Sequence, residues 1–261
     1  MSGEKILFAG SSIAGFRQSL AMELAIRPPC RQGDIYLATL ENPAVICITD
    51  GYFEGHPSVW HKEVLWALSQ GIHVVGAASM GALRAAELDR FGMVGLGRIY
   101  SWYRDREIED DDEVALIHAP EEMDFRPLSL AMVNVRATCS RAVELGVMTT
   151  KTSNTIIKLA KETFYKERTW NNLELKAGCE CCDMDELKSA MGWLATNEID
   201  QKELDARELC DFVLSAGFQE PFQPGFEFEE TEFWYQNTRL WGKPNVAADG
   251  ADDSSGYRLL S

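Results

Sequence analysis

Apolar residues come in two distinct rhythms along this chain. In the first half, short unbroken apolar runs alternate with segments of helical spacing, the pattern of a parallel sheet covered by helices. Residues 5–9 (KILFA) form a predicted strand leading into Gly10, Ser11 and Ser12. Residues 16–26 have helical spacing and stop at Pro28-Pro29, and residues 34–38 read as a short extended piece. AVICIT, residues 44–49, is a buried strand that ends at Asp50-Gly51. Ser58 is the expected cap of the helix VWHKEVLWALSQ, which Gly71 closes. Ile72 to Val75 make a third strand, and Gly81 opens an alanine-rich helix that ends at Gly92. The glycine spacing of residues 92–103 suggests a loop with at most short structure, and VALIHA (114–119) reads as a last strand.

After Pro120 the pattern is helical only, over residues 128–145, 152–166, 184–196 and 201–216. An aromatic and acidic stretch, FQPGFEFEETEFWYQNTRLW, reads as a docking arm, and residues from Asn245 as a flexible tail. The expected architecture is α/β: an open, parallel, Rossmann-like sheet flanked by helices over residues 1–123, a helical annex over 124–244, and a tail over 245–261.

Composition narrows the function classes. The net charge of −16 argues against a nucleic-acid binder, which needs a basic face. No run reaches the roughly 20 apolar residues of a membrane helix, and MSGEKILFAGSS does not resemble a signal peptide, so a cytoplasmic, reducing setting is expected. Seven cysteines then read as thiols. Cys179, Cys181 and Cys182 (CECC) contain one CxxC but no second pair at zinc-site spacing, so they read as a loop. The acidic run EDDDE (109–113) reads as a solvated turn, because neighbouring acids in a run do not converge on one ion. No metal and no cofactor is expected.

In open parallel sheets ligands bind beyond the carboxyl ends of the strands. That edge should gather Ser11, Asp50, Ser79 with Met80 and Gly81, and His118, with His61 reaching it from the first turn of its helix. Around Ser79 the chain reads A-x-S-x-G, a relaxed nucleophile elbow whose small residues free a hydroxyl at a helix start. The competing reading is an ordinary N-cap serine. His61 reads as a general base or as a plain helix histidine, and Asp50 as an orienter, a loop cap or a partner of Arg84. Arg84 and Glu87, three apart, read as an exposed pair or as part of the site. GSSIAG matches neither the P-loop nor the G-x-G-x-x-G pattern and reads as a turn.

Over residues 5–122 the sequence resembles the TfuA family. The resemblance rests on RQGDIYLA, ITDGYF, PSVWHKEVLWALSQGIHVVGAASMGALRAAEL, FGMVGLGRIY and DDDEVALIHAPE. AGSSI departs from it where a proline usually follows the glycine. The resemblance implies partnership with a YcaO-type ATP-dependent enzyme in peptide thioamidation. It also implies hydrolysis of a ThiS-like sulfur-carrier protein that ends in a thiocarboxylate, delivering sulfide. On that reading Ser79 attacks the carrier's terminal carbonyl, His61 is the base, and Asp50 orients it or binds the substrate. Met80, Gly81 and the Ser11 loop hold the oxyanion, and Arg84 with Glu87 contacts the tail. The alternative is a non-catalytic subunit that docks carrier and YcaO. An unrelated small-molecule hydrolase is a third option, and homo-oligomerisation stays open, as does the choice between His61 and His118.

Overall fold

The computed structural model describes residues 3–177 and 184–242. Cys179, Cys181, Cys182 and the expected tail lie outside the described residues. Among the described residues, those up to Phe228 form one compact unit and those from Glu229 belong to a second.

The first unit is built on a five-stranded, all-parallel sheet of order β2-β1-β3-β4-β5, where β1 is Lys5–Phe8, β2 Ala25–Arg27, β3 Val45–Ile48, β4 His73–Gly76 and β5 Val94–Gly95. Central registers run Ile6 to Ile46 and Ile46 to Val74. The apolar runs are strands because both faces of the sheet are covered, so consecutive residues bury in opposite directions. Ile6, Phe8, Ile46, Ile48 and Val74 face one side, packed by α2 (Asp34–Thr39), α3 (His61–Ser69) and α4 (Met80–Leu88). Leu7, Val45, Cys47 and Val75 face the other, where Ala206, Leu209 and Val213 of α10 (Gln201–Ser215) pack with Leu20 of α1 (Arg17–Leu20). A helix near the C-terminus thus forms part of the sheet's second layer, and this brings its first residues to the strand ends.

Four helices, α6 (Met132–Glu144), α7 (Thr150–Glu162), α8 (Trp170–Ala177) and α9 (Met184–Thr196), share an apolar core of their own around Met132, Ile156, Trp170 and Leu194. Phe222 and Phe226 pack against the sheet's first core, with the Phe222 N–H donating to the Gly71 carbonyl at 2.8 Å. The second unit contains α11 (Glu232–Trp241), whose N-cap Thr231 accepts from the Trp234 N–H. Among the described residues no helix is long and apolar enough to cross a membrane.

Several expected elements differ. Residues 34–38 are helical, not extended. The stretch 16–26 holds only the short α1 before the edge strand β2. Residues 92–103 carry both β5 and α5 (Gly97–Arg104). VALIHA is no strand of the sheet; His118 makes one isolated bridge with Pro127, and Val114 buries among Ala82, Ile99 and Val133. Ser58 does not cap α3; its hydroxyl donates to the Tyr52 carbonyl at 3.2 Å. The acidic run is a solvated turn only in its first part, where Glu109, Asp110 and Asp111 are exposed. Glu113 is buried and accepts both arms of the Arg136 fork at 2.8 and 2.9 Å, while Asp112 pairs with Lys161 and with the fully buried Arg168.

Glu63, at the third position of α3, is buried and takes the N–H groups of Gly33 (2.8 Å), Tyr36 (3.3 Å) and Trp60 (3.1 Å), tying the starts of α2 and α3 together. Burial pushes its carboxyl up to about 7. A folded value above the unfolded one favours the fold below about pH 4.5, and that advantage is lost as pH rises through 7. Wild type is therefore expected to lose roughly 3 kcal/mol more than Glu63→Gln between pH 4.5 and pH 8, with denaturant midpoints as the readout. Parallel pH profiles for the two proteins would contradict this.

Candidate functional site

In a sheet of order 2-1-3-4-5 the crossover direction reverses between β1 and β3, and the crevice above that reversal is where ligands fit. A cavity of about 230 Å³ opens there. Its walls include Ser11 after β1, Asp50 after β3, Ser79 after β4, His118 and Leu116 from the 114–119 segment, and Lys202 from the first turn of α10. Tyr52, Glu54, Tyr165 and Lys166 also line it.

Asp50 is buried and accepts from four donors. Gly10 N–H (2.8 Å) and Ser12 N–H (3.0 Å) reach Oδ2, the Ser12 hydroxyl reaches Oδ1 at 2.7 Å, and the Thr49 hydroxyl reaches Oδ2 at 3.3 Å. Of the roles read for it, loop cap is the one made here; its cationic neighbour is Lys202, 3.6 Å away, rather than Arg84. Burial alone would raise this carboxyl, but the Lys202 ammonium and the hydrogen bonds from Gly10 and Ser12 hold it below the usual carboxylate range.

Ser79 stands at the N-cap position of α4, yet its side chain makes no cap hydrogen bond. The hydroxyl instead donates to the Val114 carbonyl over a long 3.5 Å. The turn is tight: Ala78 has φ +67°, a left-handed value that costs a non-glycine residue about 1 kcal/mol. The N–H groups of Ser79 and Gly81 both donate to the Thr49 carbonyl, at 3.1 and 3.2 Å. Gly81 is therefore no oxyanion donor in this geometry. Its role is close packing, since a Cβ there would lie 1.8 Å from the Ile48 carbonyl oxygen. Met80 is buried with its side chain over Gly51.

Lys202 was not legible as a site residue. It is 3 % exposed, and its Nζ donates to the same Val114 carbonyl at 3.2 Å. His118 places Nδ1 2.9 Å from the Ala119 carbonyl. A carbonyl only accepts, so Nδ1 donates this hydrogen bond and Nε2 is the ring nitrogen left outside it.

The remaining expected residues gather elsewhere. His61 is half exposed, absent from the cavity wall, and its Nε2 lies 2.7 Å from Glu87 Oε2. Arg84 donates to the same Glu87 oxygen at 2.7 Å and to the Val59 carbonyl at 3.1 Å. Burial opposes ionisation of Glu87, but His61 and Arg84 hold its carboxyl below the usual range. His61, Arg84 and Glu87 thus form a surface cluster joining α3 to α4, apart from Ser79. The sheet edge brings Ser11, Asp50, Ser79 and His118 together, and leaves His61, Arg84 and Glu87 out.

Among the described residues no three His, Cys, Asp or Glu side chains gather as ligands for a metal ion. The cavity has what acyl chemistry uses: a hydroxyl at a helix start, an imidazole, and an ammonium in a largely buried setting.

The model of the TfuA-like protein family matches residues 50–169. No curated protein matches the chain. The matched span contains Asp50, Ser79, Val114, His118 and Lys166, whereas Ser11 and Lys202 lie outside it.

Proposed function

We propose that this chain, whose residues 50–169 match the TfuA-like protein family, releases sulfide for a YcaO-type enzyme by hydrolysing the thiocarboxylate end of a sulfur-carrier protein. The match to that family supports a role in the YcaO-associated thioamidation system. The hydrolytic step is our reading of the cavity. The observation that carries it is the Ser79 hydroxyl, at a helix start but free of capping, in the same cavity wall as His118.

The carrier's extended tail enters the cavity and presents its terminal carbonyl to Ser79. The hydroxyl oxygen attacks, and its proton passes through His118 to the departing sulfur. The C–S bond breaks and its electron pair leaves with hydrosulfide, so an ester of Ser79 remains. Water then cleaves the ester, giving the carrier carboxylate and a proton and restoring the serine. The Met80 N–H, at the first position of α4, is the donor best placed for the oxyanion, helped by the positive end of the helix. Asp50 keeps the Gly10–Ser12 loop folded against the cavity. His61, Arg84 and Glu87 take no part in the step.

The purified chain, mixed substoichiometrically with thiocarboxylated carrier and no YcaO protein, is expected to release many equivalents of sulfide. Release of one equivalent or less would contradict the enzyme and favour a subunit that only docks carrier and partner.

A further inference from the structure

Asp50 and Lys202 face each other in the cavity, yet they are satisfied unequally. The carboxylate receives four hydrogen-bond donors from Gly10, Ser12 and Thr49 without Lys202. The ammonium has three N–H donors, but among the described residues its one acceptor within hydrogen-bond distance is the Val114 carbonyl at 3.2 Å, with Asp50 Oδ1 further off at 3.6 Å. A cation 3 % exposed with donors to spare is costly unless something else supplies acceptors. The cavity is the open side of this ammonium, and the Ser79 hydroxyl reaches the same Val114 oxygen. The other lysine of the wall, Lys166, is paired with Glu54 and is not spare.

We infer that Lys202 is the anion anchor of the cavity, binding the negatively charged end of a chain terminus (carboxylate or thiocarboxylate) and seating its carbonyl carbon beside Ser79. This deepens the proposed function and rests on reading the cavity as the seat of the carrier tail. Asp50 then acts through Lys202: from 3.6 Å it helps to position the Nζ at the cavity wall, while its own oxygens are occupied by the Gly10–Ser12 loop. A terminus bearing a neutral amide cannot use the anchor, so the site selects charged chain ends. The product carboxylate carries the same charge and competes for the same group.

The test is calorimetric binding of a short peptide with a terminal glycine carboxylate, compared with its carboxamide, to the full chain. Wild type is expected to prefer the carboxylate at least tenfold, Lys202→Met to show no preference, and Lys202→Arg to keep most of it. Lys202→Met leaves Asp50 without its cationic neighbour, so Asp50→Asn/Lys202→Met is measured beside it and should likewise bind both peptides equally. A preference that survives in Lys202→Met or in the double variant overturns the anchor. So does a wild type that binds both peptides alike, and so does a Lys202→Met that loses only the rate of sulfide release while keeping the preference, the behaviour of a base. Absence of sulfide release by a wild type that keeps the carboxylate preference would fell the hydrolase reading and leave the anchor standing.

Discussion

Ser79→Ala is expected to reduce sulfide release from thiocarboxylated carrier on the order of 10³-fold or more, because the covalent step has no other hydroxyl at the start of α4. The fold should scarcely notice. The hydroxyl makes one hydrogen bond of 3.5 Å to Val114 and does not cap its helix, so its loss costs about 1 kcal/mol at most. The thermal midpoint and the binding of a carboxylate-ended peptide should therefore stay near the wild-type values. An ordinary N-cap serine would behave in the opposite way, since its removal costs stability and leaves activity alone. The pair of readouts, rate and midpoint, separates the two roles. A change under threefold in a folded variant would remove Ser79 from the chemistry.

The largest effect on stability is expected from Gly81→Ala. A methyl group at this position would sit 1.8 Å from the Ile48 oxygen and 2.6 Å from its carbon, both backbone atoms that no rotamer change can move. Gly76 of β4 is the other half of the contact, where a Cβ would meet the Gly81 oxygen at 2.2 Å. The glycines let α4 start almost in contact with two strands. Filling that space forces the helix off the sheet, at a cost of about 3 kcal/mol or more, and displaces the Ser79 turn with it. The contrast is Gly192→Ala in α9, where nothing lies within 4 Å of the added carbon and a helix interior gains roughly 0.5–1 kcal/mol. Chemical denaturation of both variants measures the difference. A Gly81→Ala protein as stable as wild type would contradict the packing described here.

The sequence and the structure agree where the cause of structure is local. The apolar runs of β1, β3 and β4, and the spacing of α4, α6, α7, α9 and α10, are each decided by residues within the element. They disagree where the cause is distant. Residues 34–38 form a helix because the carboxylate of Glu63, on α3, takes the Gly33 and Tyr36 N–H groups. Residues 97–104 form one because Asp205 of α10 accepts the Ile99 N–H at 2.7 Å beneath Gly97. A cap supplied from another helix leaves no mark beside the helix it starts. VALIHA is apolar for a related reason, since Val114 buries against α4, α5 and α6 while Leu116 and Ile117 line the cavity.

The candidate site divides along the same line. Ser11, Asp50 and Ser79 each follow a strand, so parallel topology alone brings them to one edge. His61 fails that reasoning. Its helix starts near the edge, but the first turn of α3 turns the ring outward to Glu87 on α4, where Arg84 fixes the acceptor. Lys202 could not be found from its surroundings, QKELD, which are simply the start of the helix expected over residues 201–216. What makes it a site residue is that Ala206, Leu209 and Val213 seat α10 on the sheet and aim its first turn at Asp50.

The central claim is that Ser79 carries the carrier's acyl group during turnover. Intact-protein and peptide mass spectrometry on acid-quenched reactions measures this directly. The wild-type chain is predicted to show a covalent adduct, equal in mass to the carrier less hydrosulfide, on the peptide containing Ser79, and Ser79→Ala to show none. Steady sulfide release with no adduct in the wild type and an equal rate in Ser79→Ala would contradict the account.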